Sequence, residues 1–275
     1  MMTLFDKIVD ELSHLPMVRL ILLGGSRATG KMDAKSDIDL YVYTDEPIPL
    51  SIRKEILSKY FAYLELANTF WEEEDDGILT DGIEMEIIYR KISFIDEVYD
   101  ATYVHPRANF GYSTCMVHNL QTSLILYDDA TSIQGLRSTY TGYPEALREA
   151  ILRKNGLLIS NRMPSLSFQL MKAIRRKDLI SIQHRTTEFL AMYFDVLFAA
   201  NRRFHPGEKR LLEAMDTFES MPKNAKQDIE RLLKVNTMTI DEGISLVEEI
   251  SERMNAFISQ EVGDFVICNY SKLKT

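Results

Sequence analysis

The sequence predicts an α/β or α+β domain followed by an all-helical one. Two observations carry this. Short apolar runs bounded by turn residues recur as far as about residue 128, and helical periodicity takes over after Gly142. A third concerns the join: no Gly/Ser-rich linker interrupts the chain. Two tightly packed domains are therefore expected, 1–140 and 141–275, with a cleft between them.

The elements follow in order. Residues 3–14 carry apolar residues at helical spacing, with Thr3 as N-cap and Asp6 in the first turn, and Pro16 ends the helix. Val18 to Leu23 reads as a buried strand that runs into Gly24-Gly25-Ser26, a turn. Asp37 to Tyr43 is a second strand. Ile52 to Leu66 has helical spacing, and Trp71 with Glu72 to Asp76 reads as a solvated acidic loop. The rival reading of that run is an attractor for a cationic acceptor. Ile83 to Tyr89 follows an Asp81-Gly82 turn as a third strand. Phe94 to Tyr99 reads as a helix and Ser123 to Tyr127 as a fourth strand. From Pro144 onward every periodic stretch is helical.

Bulk properties bound the function. The chain has 275 residues, 45% apolar and 27% charged, which is ordinary globular composition. A net charge of −9 argues against a nonspecific nucleic-acid surface. Cys115 and Cys268 form no CxxC pair, and two idle thiols fit a reduced, cytoplasmic setting. Residues 1–15 lack the basic start and apolar run of a signal peptide, and no run reaches membrane-spanning length. A monomer or homodimer is expected.

The most informative segment is Gly24-Gly25-Ser26-Arg27-Ala28-Thr29-Gly30, a polar spacer, then Ser36-Asp37-Ile38-Asp39-Leu40. On a strand, residues i and i+2 share a face, so Asp37 and Asp39 point the same way. A glycine turn offers backbone N–H groups to phosphate oxygens, and convergent carboxylates beside it suit a divalent cation. Ser26 and Ser36 are short hydroxyls within reach of phosphate, although a serine beside Gly or Asp is commonly a turn residue. Gly25 to Lys31 also has the outline of a P-loop. That reading fails, because Met32 stands where Ser or Thr must ligate Mg²⁺ and no helix has room to follow. On the third strand Glu84 and Glu86 share one face, and a glutamate on an apolar strand is costly to bury without a cation or donor.

This Gly-Ser, spacer, Asp-x-Asp pattern resembles the signature of the polymerase β nucleotidyltransferase superfamily. It is similar above all to the branch with aminoglycoside and lincosamide nucleotidyltransferases. The resemblance implies a nucleotidyltransferase domain with a mixed sheet and a helical bundle behind it. It implies transfer of a nucleoside monophosphate, AMP from ATP or the equivalent from another NTP, to a hydroxyl of a small acceptor of antibiotic type. One or two Mg²⁺ ions would be held by Asp37, Asp39 and a third carboxylate. Glu86 is slightly favoured as that third group and Glu84 remains its rival. Gly25, Ser26, Arg27 and Ser36 would line the triphosphate. The segment from Asn201 through Arg202, Phe204, Pro206 and Gly207 to Lys209 resembles the second domain of bacterial nucleotidyltransferase-like proteins. By that resemblance Lys209 is a phosphate contact, with Arg202 and Asn201 after it. His205 reads as an incidental turn residue. Tyr112, His118, Tyr140 and Tyr143 are candidates for the acceptor side. Two other functions stay open: nucleotidyl modification of a protein or a tRNA end, and a nucleotide-binding sensor without turnover.

Overall fold

In a computed structural model of the chain, residues 2–28, 37–129, 133–160 and 163–263 are described. They divide into two compact units. One comprises residues 1–100 and 117–141, the other residues 101–116 and 142–275. The excursion of 101–116 into the second unit is invisible in the sequence, where only the change near 142 leaves a trace.

The first unit opens with α1 (Leu4–Ser13), capped by Thr3 in a reciprocal box with Asp6. Such a cap is worth about 1 kcal/mol. Then come β1 (Val18–Leu23), one helical turn α2 (Gly25–Ala28), β2 (Ile38–Thr44), α3 (Leu50–Leu57), β3 (Phe61–Asn68), β4 (Glu73–Leu79) and β5 (Glu84–Lys91). After α4 (Ser93–Tyr99) and the second unit's excursion, α5 (Cys115–Thr122), β6 (Leu124–Asp128) and α6 (Ile133–Thr139) complete it.

The six strands form one sheet in the order β3-β4-β5-β2-β1-β6. Only β2 and β5 are parallel; the other neighbours are antiparallel. Alternation fixes two faces. Ile38, Leu40, Val42, Met85, Ile87 and Tyr89 bury one face with Ile8 and Leu12 of α1 and Ile56 and Leu57 of α3. Asp39, Tyr41 and Tyr43 of β2 and Glu84, Glu86 and Arg90 of β5 take the other.

Two sequence expectations are corrected here. The helix expected over 52–66 stops at Leu57, and residues 61–68 are the edge strand β3. Ala, Leu and Glu favour a helix locally, but the ladder with β4 overrides that preference. The acidic run is not a solvated loop. It enters β4, between β3 and β5, where Glu73 and Asp75 pair with the buried Arg53. Asp75 also accepts from Tyr89 Oη at 2.9 Å.

The second unit is helical. α7 (Glu145–Leu158), α8 (Leu166–Arg176), α9 (Leu179–Ala200), α10 (Leu211–Met215), α11 (Ala225–Leu232) and α12 (Ile240–Val262) surround one core. α9 is its centre: Phe189, Tyr193, Leu197 and Phe198 are all buried. The excursion is tied to it by polar contacts. Ser113 donates to Asp195 through its backbone N–H at 2.9 Å and its hydroxyl at 2.6 Å. Thr114 Oγ1 accepts from the His205 N–H at 2.7 Å.

Candidate functional site

The site is built at the ends of β1, β2 and β5. β1 delivers Gly24, whose N–H donates to the Asp39 carbonyl at 2.9 Å. Gly25 adopts a positive φ of 65° and starts α2. A side chain is impossible there: a Cβ on Gly25 would sit 1.7 Å from Asp39 Oδ2. The turn's backbone therefore lies directly against the Asp39 carboxylate, which the sequence pattern alone could not show. A Cβ on Gly24 would meet the Tyr41 ring at 2.4 Å. Glycine is required at both positions by close approach, and at Gly25 by backbone conformation as well.

Arg27 turns inward from α2 and donates from Nε to the Asp37 carbonyl at 3.0 Å. This bond braces the start of β2. Ser26 is in α2 by its backbone, and Ser36 lies outside the described residues, as do Gly30 and Lys31.

The two glutamates separate. In the parallel ladder Glu86 stands beside Asp39, and on its other side it pairs with Asp76 of β4. Its carboxyl is pushed above the usual range, first by desolvation and then by the charges of Asp39, Asp76, Asp37 and Glu74. Glu84 pairs across to Ile78 instead. Three carboxylates thus run side by side on neighbouring strands, Asp39, Glu86 and Asp76. Glu74, two residues along β4 from Asp76, is only 7% exposed, and among the described residues its side chain has no hydrogen-bond or ionic partner. Burial, then Asp76 and Glu72, raise its carboxyl too.

Such a row is unfavourable without a cation, because like charges on adjacent strands repel. The donor set is all oxygen and suits Mg²⁺. Asp39, Asp37 and Glu86 would hold it next to the glycine turn. Among the described residues no group of three potential ligands is already closed into a metal site.

The remaining sequence candidates lie in the second unit or elsewhere in the first. Lys209 is exposed in the turn before α10, and among the described residues it pairs with no carboxylate. Arg202 is exposed and bridges Glu145 at 3.0 Å. Asn201 is committed to structure: its amide donates to Leu197 O and Ser220 O and accepts from the N–H groups of Glu219 and Ser220. His205 is wholly buried, against Phe198 at 4.5 Å and Tyr112 at 5.0 Å. Its Nδ1 accepts from the Gly207 N–H and lies 3.6 Å from Cys115 Sγ. Burial, with Asp195 and Glu208 adding to it, pushes the Cys115 thiol up to about 12, so it is no nucleophile at neutral pH. Tyr143 stacks on Phe204 and Tyr140 packs on Tyr99, and both are half-buried, as is His118 on α5. Cys268 lies outside the described residues.

Residues 6–89, which contain this turn and all of these strand carboxylates, match the model of the family "Polymerase beta, Nucleotidyltransferase". This part of the chain is a polymerase β nucleotidyltransferase domain. Residues 112–211 match a domain of unknown function, DUF4037. No curated protein matches the chain. Among solved structures, a nucleotidyltransferase-like protein from Exiguobacterium sibiricum is similar at 12% identity and a TM-score of 0.46, covering 93% of this chain and 73% of that one. An aminoglycoside 6-adenyltransferase from Bacillus subtilis gives 9% identity and 0.33, covering 99% and 96%. A spectinomycin adenyltransferase from Enterococcus faecialis, solved with ATP and spectinomycin, gives 15% and 0.31, covering 91% and 96%. Spacing put Asp37 with Asp39, and Glu84 with Glu86, on shared strand faces, and of the two glutamates the ladder sets Glu86 beside Asp39. Asp76 and Glu74 were missed because their run was read as a loop. Residues 72–76 are acidic without a break, so no alternation signalled a strand there. No described helix is long and apolar enough to cross a membrane.

Proposed function

We propose that the protein transfers AMP from ATP to a hydroxyl of a small, positively charged acceptor, with release of pyrophosphate. The observation that carries this is the seating of the Gly25 backbone on the Asp39 carboxylate, with Glu86 next to it in the parallel ladder. Backbone N–H groups at a helix start receive phosphate oxygens. Asp37, Asp39 and Glu86 would hold a divalent cation, which when bound would neutralise charge on the phosphates. A glutamate of β5, Glu86 or its rival Glu84, takes the acceptor's proton as the acceptor's oxygen attacks the α-phosphorus and pyrophosphate leaves. Lys209, exposed in its turn, is carried as a further cation for the nucleotide's phosphates. The charge of the acceptor follows from Glu74 and Asp76. They extend the acidic face away from the turn, and among the described residues no arginine or lysine pairs with Glu74.

The test uses ATP labelled at the α-phosphate, Mg²⁺ and a panel of hydroxylated amines and neutral hydroxylated compounds. Pyrophosphate release and label transfer to an amine-bearing acceptor are expected from the wild type. Both should be abolished in Asp39→Asn with the fold intact. Label transfer by Asp39→Asn at the wild-type rate would overturn the assignment.

A further inference from the structure

The acidic run has one member that is paired with an arginine of the same sheet face. Glu72, one residue before β4, receives a fork from Arg90, Nε at 2.6 Å and a terminal nitrogen at 2.5 Å. Arg90 is 8% exposed and sits on the same sheet face as Glu86, four residues along β5. Its guanidinium stacks on Tyr41 at 4.9 Å and on Phe94 at 4.8 Å, and donates to Tyr43 Oη at 3.2 Å. Tyr41 in turn touches the nucleotide turn. Its ring edge occupies the space a Gly24 side chain would need, and it shares a hydrogen bond with Asn119, whose amide lies against the same glycine. A continuous path of packed groups therefore runs from Glu72 through Arg90 and Tyr41 to Gly24.

Burying a guanidinium is expensive unless its donors are satisfied, and a planar fork onto carboxylate with aromatic faces on either side satisfies it. Among the described residues Glu72 is the arginine's one carboxylate partner. That glutamate follows directly on Phe70 and Trp71, which are 85% and 89% exposed at the tip between β3 and β4. The tip and the glycine turn are far apart in sequence and share no ladder; Arg90 is what they have in common.

We propose that Arg90 is a positioning residue. Held by Glu72, it fixes Tyr41 against Gly24 and so sets the glycine turn at its distance from Asp39. By the same path it couples the Phe70–Trp71 tip to occupancy of the turn. The second clause rests on the reading that the turn binds ATP; the first does not.

The test exploits Trp71, the single tryptophan of the chain. Wild type, Glu72→Gln, Arg90→Met and the double variant are compared in two measurements. Hydrogen exchange without nucleotide reads the turn directly: exchange in the peptide covering residues 18–28 should rise about tenfold in each variant, and the double variant should match Arg90→Met. Exchange in residues 4–13 should stay as in wild type, which separates a local effect from poor folding. Titration of a non-hydrolysable ATP analogue with Mg²⁺ is then followed by calorimetry and by Trp71 emission. Wild-type emission should change in step with the heat of binding. Glu72→Gln should still give heat, at about tenfold weaker affinity, with the Trp71 response lost. Unchanged exchange at 18–28 in Glu72→Gln would overturn the positioning role. A wild-type heat of binding with silent Trp71 would overturn the coupling. Absence of any heat in wild type would remove the nucleotide reading and the coupling with it, while the exchange result decides the positioning role.

Discussion

The two units treat their carboxylates in opposite ways. In the helical unit Asp195 is 1% exposed, yet it accepts from the Ser113 N–H, the Ser113 hydroxyl and Asn155 Nδ2. In the sheet unit Asp39, Glu86, Asp76 and Glu74 crowd one face; Asp76 accepts from Asn68 Nδ2 at 2.9 Å, and among the described residues no donor reaches the side chains of Glu74 and Glu86. A saturated carboxylate is architecture: Asp195 pins the 101–116 excursion to α9. A row of like charges on neighbouring strands repels itself, and an incoming cation relieves that repulsion, which is the physical mark of a site. The same contrast holds within β4, where Arg53 pairs with Glu73 and Asp75 on one face and, among the described residues, no cation meets Glu74 on the other.

The sharpest way to break this contrast is to compare the two glutamates of β5. Glu86→Gln should cut turnover by about 10²–10⁴-fold, whereas Glu84→Gln should stay within about threefold of wild type. Initial-rate measurements of pyrophosphate release decide it, and equal effects would dissolve the distinction between the row and its neighbours.

Gly25→Ala should follow, with a loss of about 100-fold in Mg-ATP-dependent turnover. The new Cβ cannot coexist with Asp39 Oδ2, and the positive φ adds strain. Circular dichroism should show the secondary structure retained, because the clash is confined to the turn.

Asp195 should behave in the opposite manner. Asp195→Ala should lower stability by about 2–4 kcal/mol in chemical denaturation, leaving Asn155 and Ser113 without their acceptor. Mg-ATP affinity should be unchanged. Burial pushes the Asp195 carboxyl up to about 6, with the Ser113 and Asn155 donors opposing. The folded chain thus binds this proton more tightly than the unfolded chain. Its contribution is fully present below the unfolded value of 3.8 and is lost as pH rises through about 6. Relative to Asp195→Asn, wild type should therefore gain about 1 kcal/mol between pH 7 and pH 5. A difference that is flat with pH would show that the carboxylate is not strained. The smallest effect is expected for Lys209→Ala, a weakening of Mg-ATP binding by about tenfold in calorimetric titration.

The contrast also marks what a sequence can reveal. Val18–Leu23 is read from its apolar run and Thr3 from its capping box, because both are local. Asp37 and Asp39 announce themselves by spacing on one strand. Residues 61–68 and 73–76 mislead, since helix-forming and acidic residues become strands only through a ladder with distant partners. Arg90 is mute in sequence for the same reason: its partners are Glu72, Tyr41, Tyr43 and Phe94, gathered from four separate segments. The role of Gly25 is legible as a turn, but its contact with Asp39 is a tertiary fact.

The central claim is that the carboxylate row beside the glycine turn exists to hold a cation-bound triphosphate. Calorimetric titration of a non-hydrolysable ATP analogue, with and without Mg²⁺, into wild type and Asp39→Asn tests it most directly. The account predicts that wild type binds only when Mg²⁺ is present. It predicts at least about 100-fold weaker binding by Asp39→Asn, at unchanged thermal stability. Binding of equal strength to both proteins would contradict it.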